Sequence, residues 1–259
     1  MRNSTTLINP VPYHIKPPQT ISENNKEALD AIKRINARNA SIRSLECHNI
    51  TIRVNCPGTP PVNLKSEMAY EKDKKFRMIN QSVLGREADV GSNDQQFWFW
   101  SKRMRPPTLY YANHSDMIKV PLRDPLNPLW LMECMNVQEI ATKNTEIRQQ
   151  EKYWAIHQTR VSLLGALVVK MTLIDPQEER IVGHYLYNSE NKLIASSEIV
   201  AFAKCGSVYV PTEMKMCWHE ENMSMLFQFT QIAVNTKIKD TTWILPNYLR
   251  KKNMAELLP

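Results

Sequence analysis

The sequence predicts a mainly β protein with some α: a curled antiparallel sheet of about 11 strands with helices plugging its concave side. Three observations predict it. Runs of six to eleven residues alternate apolar and polar, the period of a half-buried strand. Short polar turns such as Asp175-Pro176-Gln177-Glu178-Glu179 and Ser189-Glu190-Asn191-Lys192 separate these runs, as antiparallel hairpins require. Helical periodicity occurs only near the N-terminus and at 129–135. A sheet of that many strands curls instead of staying flat, and its hollow side needs cover.

Residues 1–19 are Pro-rich, with Asn9-Pro10-Val11-Pro12 and Pro17-Pro18, and read as a flexible leader. Thr20-Ile21-Ser22-Glu23 has capping-box spacing. Ala28, Leu29, Ile32, Ile35 and Ile42 then follow at near-helical spacing. The period changes to two at His48, Ile50, Ile52, Val54 and Cys56, a clean strand. Leu64, Ser66, Met68 and Tyr70 alternate next, and 76–82 is a third strand with Val83-Leu84-Gly85 as its exit loop.

Residues 87–92 and 95–101 form a hairpin around Gly91-Ser92-Asn93-Asp94. Its second strand carries Phe97-Trp98-Phe99-Trp100. Alternate side chains of a strand point to opposite faces, so the two Phe share one face and the two Trp the other. Both faces need apolar cover, from the protein itself or from a ligand. A strand at 109–114 follows. Residues 121–150, with Pro121, Pro125 and Pro128 before Leu129-Trp130-Leu131-Met132-Glu133-Cys134-Met135, read as a helical lid insertion. Strands return at about 152–161, 166–175, 180–188, 193–203, 208–218 and 225–235. The domain is expected to span 20–246. Residues 247–259 are expected to be a tail that frays or packs as a short helix.

Composition narrows the function. The 259 residues carry a net charge of +7, a pI near 9.1 and a mean hydropathy of −0.44. A basic surface suits an anionic membrane, whereas no long basic run favours nucleic acid. The five cysteines, Cys47, Cys56, Cys134, Cys205 and Cys217, form no C-x-x-C pair. His114-Ser115-Asp116 has triad residue types, but neighbours in sequence cannot converge as a triad does. Trp218-His219-Glu220-Glu221 reads as a turn and not as a metal site. The reading is of a non-enzymatic protein without metal or cofactor. Thirteen Met and six Trp suit an adaptable apolar pocket.

The order of these pieces resembles the lipoprotein-localisation proteins, the periplasmic carrier LolA and the outer-membrane receptor LolB. The matching residues are Tyr70-Glu71-Lys72-Asp73-Lys74-Lys75-Phe76-Arg77, the stretch from Asp89 to Trp100, Asn127-Pro128-Leu129-Trp130-Leu131, the strands from Ile181 to Ala203, and Phe227 to Pro246. The resemblance implies a half-open β-barrel whose capped hollow holds acyl chains. It implies a monomer at the periplasm or the periplasmic face of the outer membrane, with lipoprotein acyl chains or another lipid as partner. Phe97, Trp98, Phe99, Trp100, Leu129, Trp130, Met132, Met135, Met214 and Met216 are the groove-lining candidates. Val83 and Leu84 stand where the receptor type inserts into membrane. The carrier's lid latch falls near Lys72 and Arg77. An interaction or sensor module with a filled core is the alternative on the same fold.

Overall fold

The computed structural model describes residues 26–72, 75–119, 128–143, 145–161 and 166–256. The leader, the capping residues Thr20 to Glu23 and the Leu129 side chain lie outside the described residues. Two α-helices, α1 (Lys26–Ala40) and α2 (Pro128–Cys134), accompany one open sheet of fourteen strands. In chain order these are β1 (Ser44–Asn55), β2 (Val62–Glu71), β3 (Lys75–Ser82), β4 (Gly85–Ser92), β5 (Gln96–Ser101), β6 (Leu109–Asn113), β7 (Thr145–Gln150), β8 (Tyr153–Val161), β9 (Leu167–Asp175), β10 (Arg180–Tyr187), β11 (Leu193–Cys205), β12 (Val208–Trp218), β13 (Met223–Val234) and β14 (Lys251–Asn253).

The spatial order is β14-β6-β5-β4-β3-β2-β1-β13-β12-β11-β10-β9-β8-β7. Two meanders, β1 to β6 and β7 to β13, therefore join only where β1 pairs with β13, from Leu45 opposite Val234 to Asn55 opposite Ser224. Every pairing is antiparallel except β14 with β6. The sheet is not closed.

The strand count exceeds the eleven or twelve expected because two strands, β7 and β14, were not foreseen. β7 falls inside the stretch assigned to the lid, where Thr-Glu-Ile-Arg-Gln-Gln buries only Thr145 and Ile147. Two buried positions make a weak alternation, and the strand exists because β8 templates it. β14 is Lys-Lys-Asn, with no apolar signal at all. It lies in the expected tail, which instead continues past Pro246 as this parallel edge strand and a 3-10 turn at Met254–Glu256.

The sheet has an inner face, which carries both helices, and an outer face. α1 buries Ala28, Ile32 and Ile35 against Ile147, Ile156, Ile174 and Ile181 of β7 to β10. Asn36 fixes its position, donating Nδ2–H to the Ile140 carbonyl (2.9 Å) and accepting the Ile140 amide (2.8 Å). Arg34 Nε donates to Glu179 Oε1 at 2.8 Å, in the β9–β10 turn. α2 packs Trp130, Met132, Cys134 and Met135 into the largest apolar cluster, shared with β1 to β3 and β10 to β13. The helices thus cover parts of the inner face.

Candidate functional site

The aromatic strand β5 divides two environments. In register, Phe97 lies opposite Ser92, Trp98 opposite Gly91, Phe99 opposite Val90 and Trp100 opposite Asp89. Phe97 and Phe99 point inward. There they line a cavity of about 290 Å3, together with Ile52, Val54, Leu64, Met78, Ala88 and Val90 of β1 to β4, Trp218, Met223, Met225 and Phe227 of β12 and β13, Leu131 of α2, and Met254. Asn80 is the one lining residue with an amide or charged side chain. Its Oδ1 already accepts a hydrogen bond from Ser66 Oγ at 2.6 Å. Phe99 is 36% exposed, and Val54, Leu64, Val90, Met223 and Met225 are half-buried, so the cavity reaches the surface.

Trp98 and Trp100 point to the outer face and do not line this cavity. They pack with Leu109, Tyr111, Leu245 and Tyr248. Trp100 stacks on Tyr248 with centroids 4.4 Å apart and ring planes 9° apart. The C-terminal segment is thus the cover for the second aromatic face. Beneath it Asp89, 0% exposed, accepts from Arg77 Nη2 (2.9 Å), Trp98 Nε1 (3.2 Å) and Tyr248 Oη (3.2 Å). Arg77 Nη1 also donates to the Thr242 carbonyl at 2.9 Å. Arg77 therefore latches the C-terminal segment to the outer face, not the lid. Lys72 is exposed in the β2–β3 turn.

Glycine at position 91 is dictated by this packing. A Cβ there would lie 2.2 Å from Trp98 Cζ2, and that ring is fully buried and hydrogen-bonded. Gly91→Ala is expected to destabilise the fold by about 1–3 kcal/mol, the usual cost of overpacking. A thermal unfolding midpoint equal to wild type would contradict the placement of Trp98.

What holds α2 is a polar cluster that the sequence reading missed. Glu133 sits 2.9 Å from Arg160 Nη1 of β8 and 3.2 Å from Lys170 Nζ of β9. Burial alone would raise the Glu133 carboxyl, but the charges of Lys170 and Arg160 outweigh it and hold it below the usual range. Asn136, in the left-handed conformation (φ 58°), ends the helical turn. Its Nδ2–H donates to the Ile181 carbonyl at 3.2 Å, and His184 Nε2 lies 2.9 Å from its Oδ1. His184 Nδ1 lies 3.2 Å from Thr172 Oγ1. Trp130 meets the His184 ring edge-on at 6.3 Å. A lone carboxylate inside Leu-Trp-Leu-Met-Glu-Cys-Met was the one available signal, since a charge on an apolar helix needs a buried partner.

Of the remaining candidates, Trp130, Met132, Met135, Met214 and Met216 are buried in the cluster around α2 but do not line the cavity. Val83 and Leu84 are exposed at the β3–β4 turn. Only Phe97 and Phe99 of the lining were groove candidates; the other lining residues, Leu64, Met223, Met225 and Met254 among them, were not foreseen. His114 Nε2 approaches Ser92 Oγ (3.3 Å) and the Asn93 carbonyl (2.8 Å), not Ser115. His219 Nε2 approaches Ser196 Oγ at 3.0 Å. Among the described residues no group of three or more His, Cys, Asp or Glu side chains converges as a metal site, and all five cysteines are free thiols.

No protein-family model and no curated protein matches the sequence. Solved structures do match the fold. A LolA superfamily protein from Nitrosomonas europaea superposes with a TM-score of 0.55 at 10% identity, over 83% of this chain and 97% of that one. A domain from Vibrio parahaemolyticus described as an outer membrane lipoprotein-sorting protein gives 0.58 at 10% identity, over 83% and 95%. A DUF1329 family protein from Desulfovibrio piger gives 0.55 at 11%, over 86% and 98%.

Proposed function

From a LolA-like fold that leaves an apolar hollow between β1 to β5, β12, β13 and α2, we propose a non-enzymatic carrier or receptor that binds lipoprotein acyl chains or a similar lipid at the cell envelope. The cavity is the observation that carries this reading. Its volume of about 290 Å3 lies near the lower end of ligand pockets, ~300–1,000 Å3. Each methylene it buries contributes ~0.8 kcal/mol, so about eight methylenes contribute ~6 kcal/mol before association costs. The flexible Met223, Met225 and Met254 side chains let the wall adapt to different chains. The lining offers no charged group, which favours an apolar tail over a polar metabolite.

The kind of protein that Vibrio parahaemolyticus domain is described as supports an envelope setting. Among the described residues no helix is long and apolar enough to cross a membrane.

Titration with a fluorescent fatty acid tests the reading. The wild-type protein binds the probe, and an acyl ligand is recovered by lipid extraction or seen in native mass spectrometry. Ala88→Trp places an indole where the small Ala88 side chain borders the hollow, and is expected to weaken probe binding about tenfold, equivalent to ~1.4 kcal/mol. Absence of both probe binding and a co-purified acyl ligand would overturn the proposal.

A further inference from the structure

One polar side chain in the wall of the hollow has only half of its hydrogen bonding complete. Asn80 stands on β3, with Ser66 of β2 opposite it on one side and Ala88 of β4 on the other. Strand alternation puts it on the inner face with Met78, and both residues line the hollow. Asn80 is 8% exposed, so its amide is largely withdrawn from bulk water. Ala88, also in the lining, brings only a methyl group beside it.

An Asn side chain offers one carbonyl oxygen and two N–H donors. The buried Ser66 donates its hydroxyl proton to Asn80 Oδ1 at 2.6 Å. That oxygen is the one acceptor the hydroxyl has among the described residues, and the bond sets which edge of the amide faces Ser66. The other edge, the Nδ2 amino group, has no acceptor among the described residues. Buried donors left unmet are rare in folded proteins and costly to keep. A Leu at this position would line the hollow without that cost.

We propose that the Asn80 Nδ2 amino group donates to the carbonyl oxygen of a fatty acyl ester, whose hydrocarbon tail lies along Met78, Phe97 and Phe227. The assignment rests on the acyl-binding reading and adds the lipid class that the hollow selects. An ester brings an acceptor and no donor. A secondary amide brings an N–H as well, and the lining has no free side-chain oxygen to receive it, since Asn80 Oδ1 is taken. A plain hydrocarbon leaves the amino group unmet. Selection against a ligand that lacks the matching group is what a buried polar residue in an apolar site supplies.

Displacement of the fluorescent fatty acid by methyl decanoate, N-methyldecanamide and tridecane tests the assignment, in wild type and in Ser66→Ala/Asn80→Leu. The pair is changed together because Asn80→Leu alone strands the Ser66 hydroxyl, whereas replacing both partners by apolar groups is nearly neutral. The ratio of methyl decanoate to tridecane affinity is expected to fall about fivefold in the double variant, the effect of one neutral hydrogen bond. Wild type is expected to bind methyl decanoate more tightly than N-methyldecanamide. Infrared spectroscopy of methyl decanoate bound to wild type reads the contact directly. Its carbonyl band should lie below the position it has in alkane solution, and this measurement decides if the variant does not fold. An unshifted band, or an affinity ratio unchanged in a folded variant, would overturn the Asn80 contact. Equal affinity for N-methyldecanamide would overturn the choice of ester. If neither the fluorescent fatty acid nor any of the three ligands binds, the acyl reading fails and this inference falls with it.

Discussion

Asp89→Ala is expected to lower the free energy of unfolding by about 3–5 kcal/mol, the range for removing one partner of a buried ion pair. The carboxylate is fully buried and takes hydrogen bonds from Arg77, Trp98 and Tyr248. Its loss leaves the Arg77 guanidinium, itself mostly buried, with the Thr242 carbonyl as its one remaining acceptor among the described residues. It also removes the acceptor of a buried indole N–H. Tyr248→Phe deletes two hydrogen bonds, the one donated to Asp89 and the one accepted from Arg86 Nη1 (3.1 Å), and keeps the stack on Trp100, so it should cost about 1–2 kcal/mol. Urea unfolding followed by tryptophan fluorescence measures both. An Asp89→Ala midpoint within experimental error of wild type would show that the C-terminal segment is not secured in this way.

Acid is expected to destabilise the protein well before its carboxylates titrate. His157 is buried, and desolvation, then the Arg148 charge, lowers its pKa from 6.5 to about 4, with Glu146 opposing. His184 is also depressed well below 6.5, by desolvation and by Lys170 and Arg160. Both are neutral in the folded state. In the unfolded chain they bind protons near pH 6.5, so the unfolded state gains protons first as pH falls. Stability is therefore flat above about pH 7, declines between 6.5 and 4, and levels below the folded-state value. For His157 the loss is ~2 kcal/mol at pH 5, and His184 adds to it. Glu133, whose pKa is lowered from 4.5, contributes only at still lower pH. Urea midpoints at pH 7.5 and pH 5 should differ accordingly, and His157→Gln should remove ~2 kcal/mol of that difference. A midpoint independent of pH across this window would mean that both rings are hydrated or protonated when folded.

Most of the sheet was legible because period-two alternation is a strong signal when one face is buried. Ile50, Ile52 and Val54 against Asn49, Thr51 and Arg53 give β1 almost without ambiguity, and Leu129 to Met135 gives α2. β7 and β14 were not legible. Their backbones are recruited by a neighbour's free edge, and Lys-Lys-Asn carries no trace of it. The aromatic strand shows the limit at the site. Alternation separates Phe97 and Phe99 from Trp98 and Trp100, but which pair meets a cavity depends on where residues 240–248 lie. That is set by Asp89, Arg77 and Tyr248, residues 12 to 171 positions apart along the chain. The Glu133 cluster was hidden for the same reason, since its cations come from two later strands.

The seam between the two meanders has a consequence for biosynthesis. Leu45 meets Val234 and Ile52 meets Phe227 across it, so both walls of the hollow come together only when segments almost two hundred residues apart have found each other. Pairings of that sequence separation are slow to form. During translation the β1 to β6 arm must wait with Ile52, Val54 and Phe99 bare until β13 has left the ribosome. A nascent chain stalled before residue 223 would thus expose the apolar surface that walls the hollow in the finished protein, and should be a client for holdase chaperones.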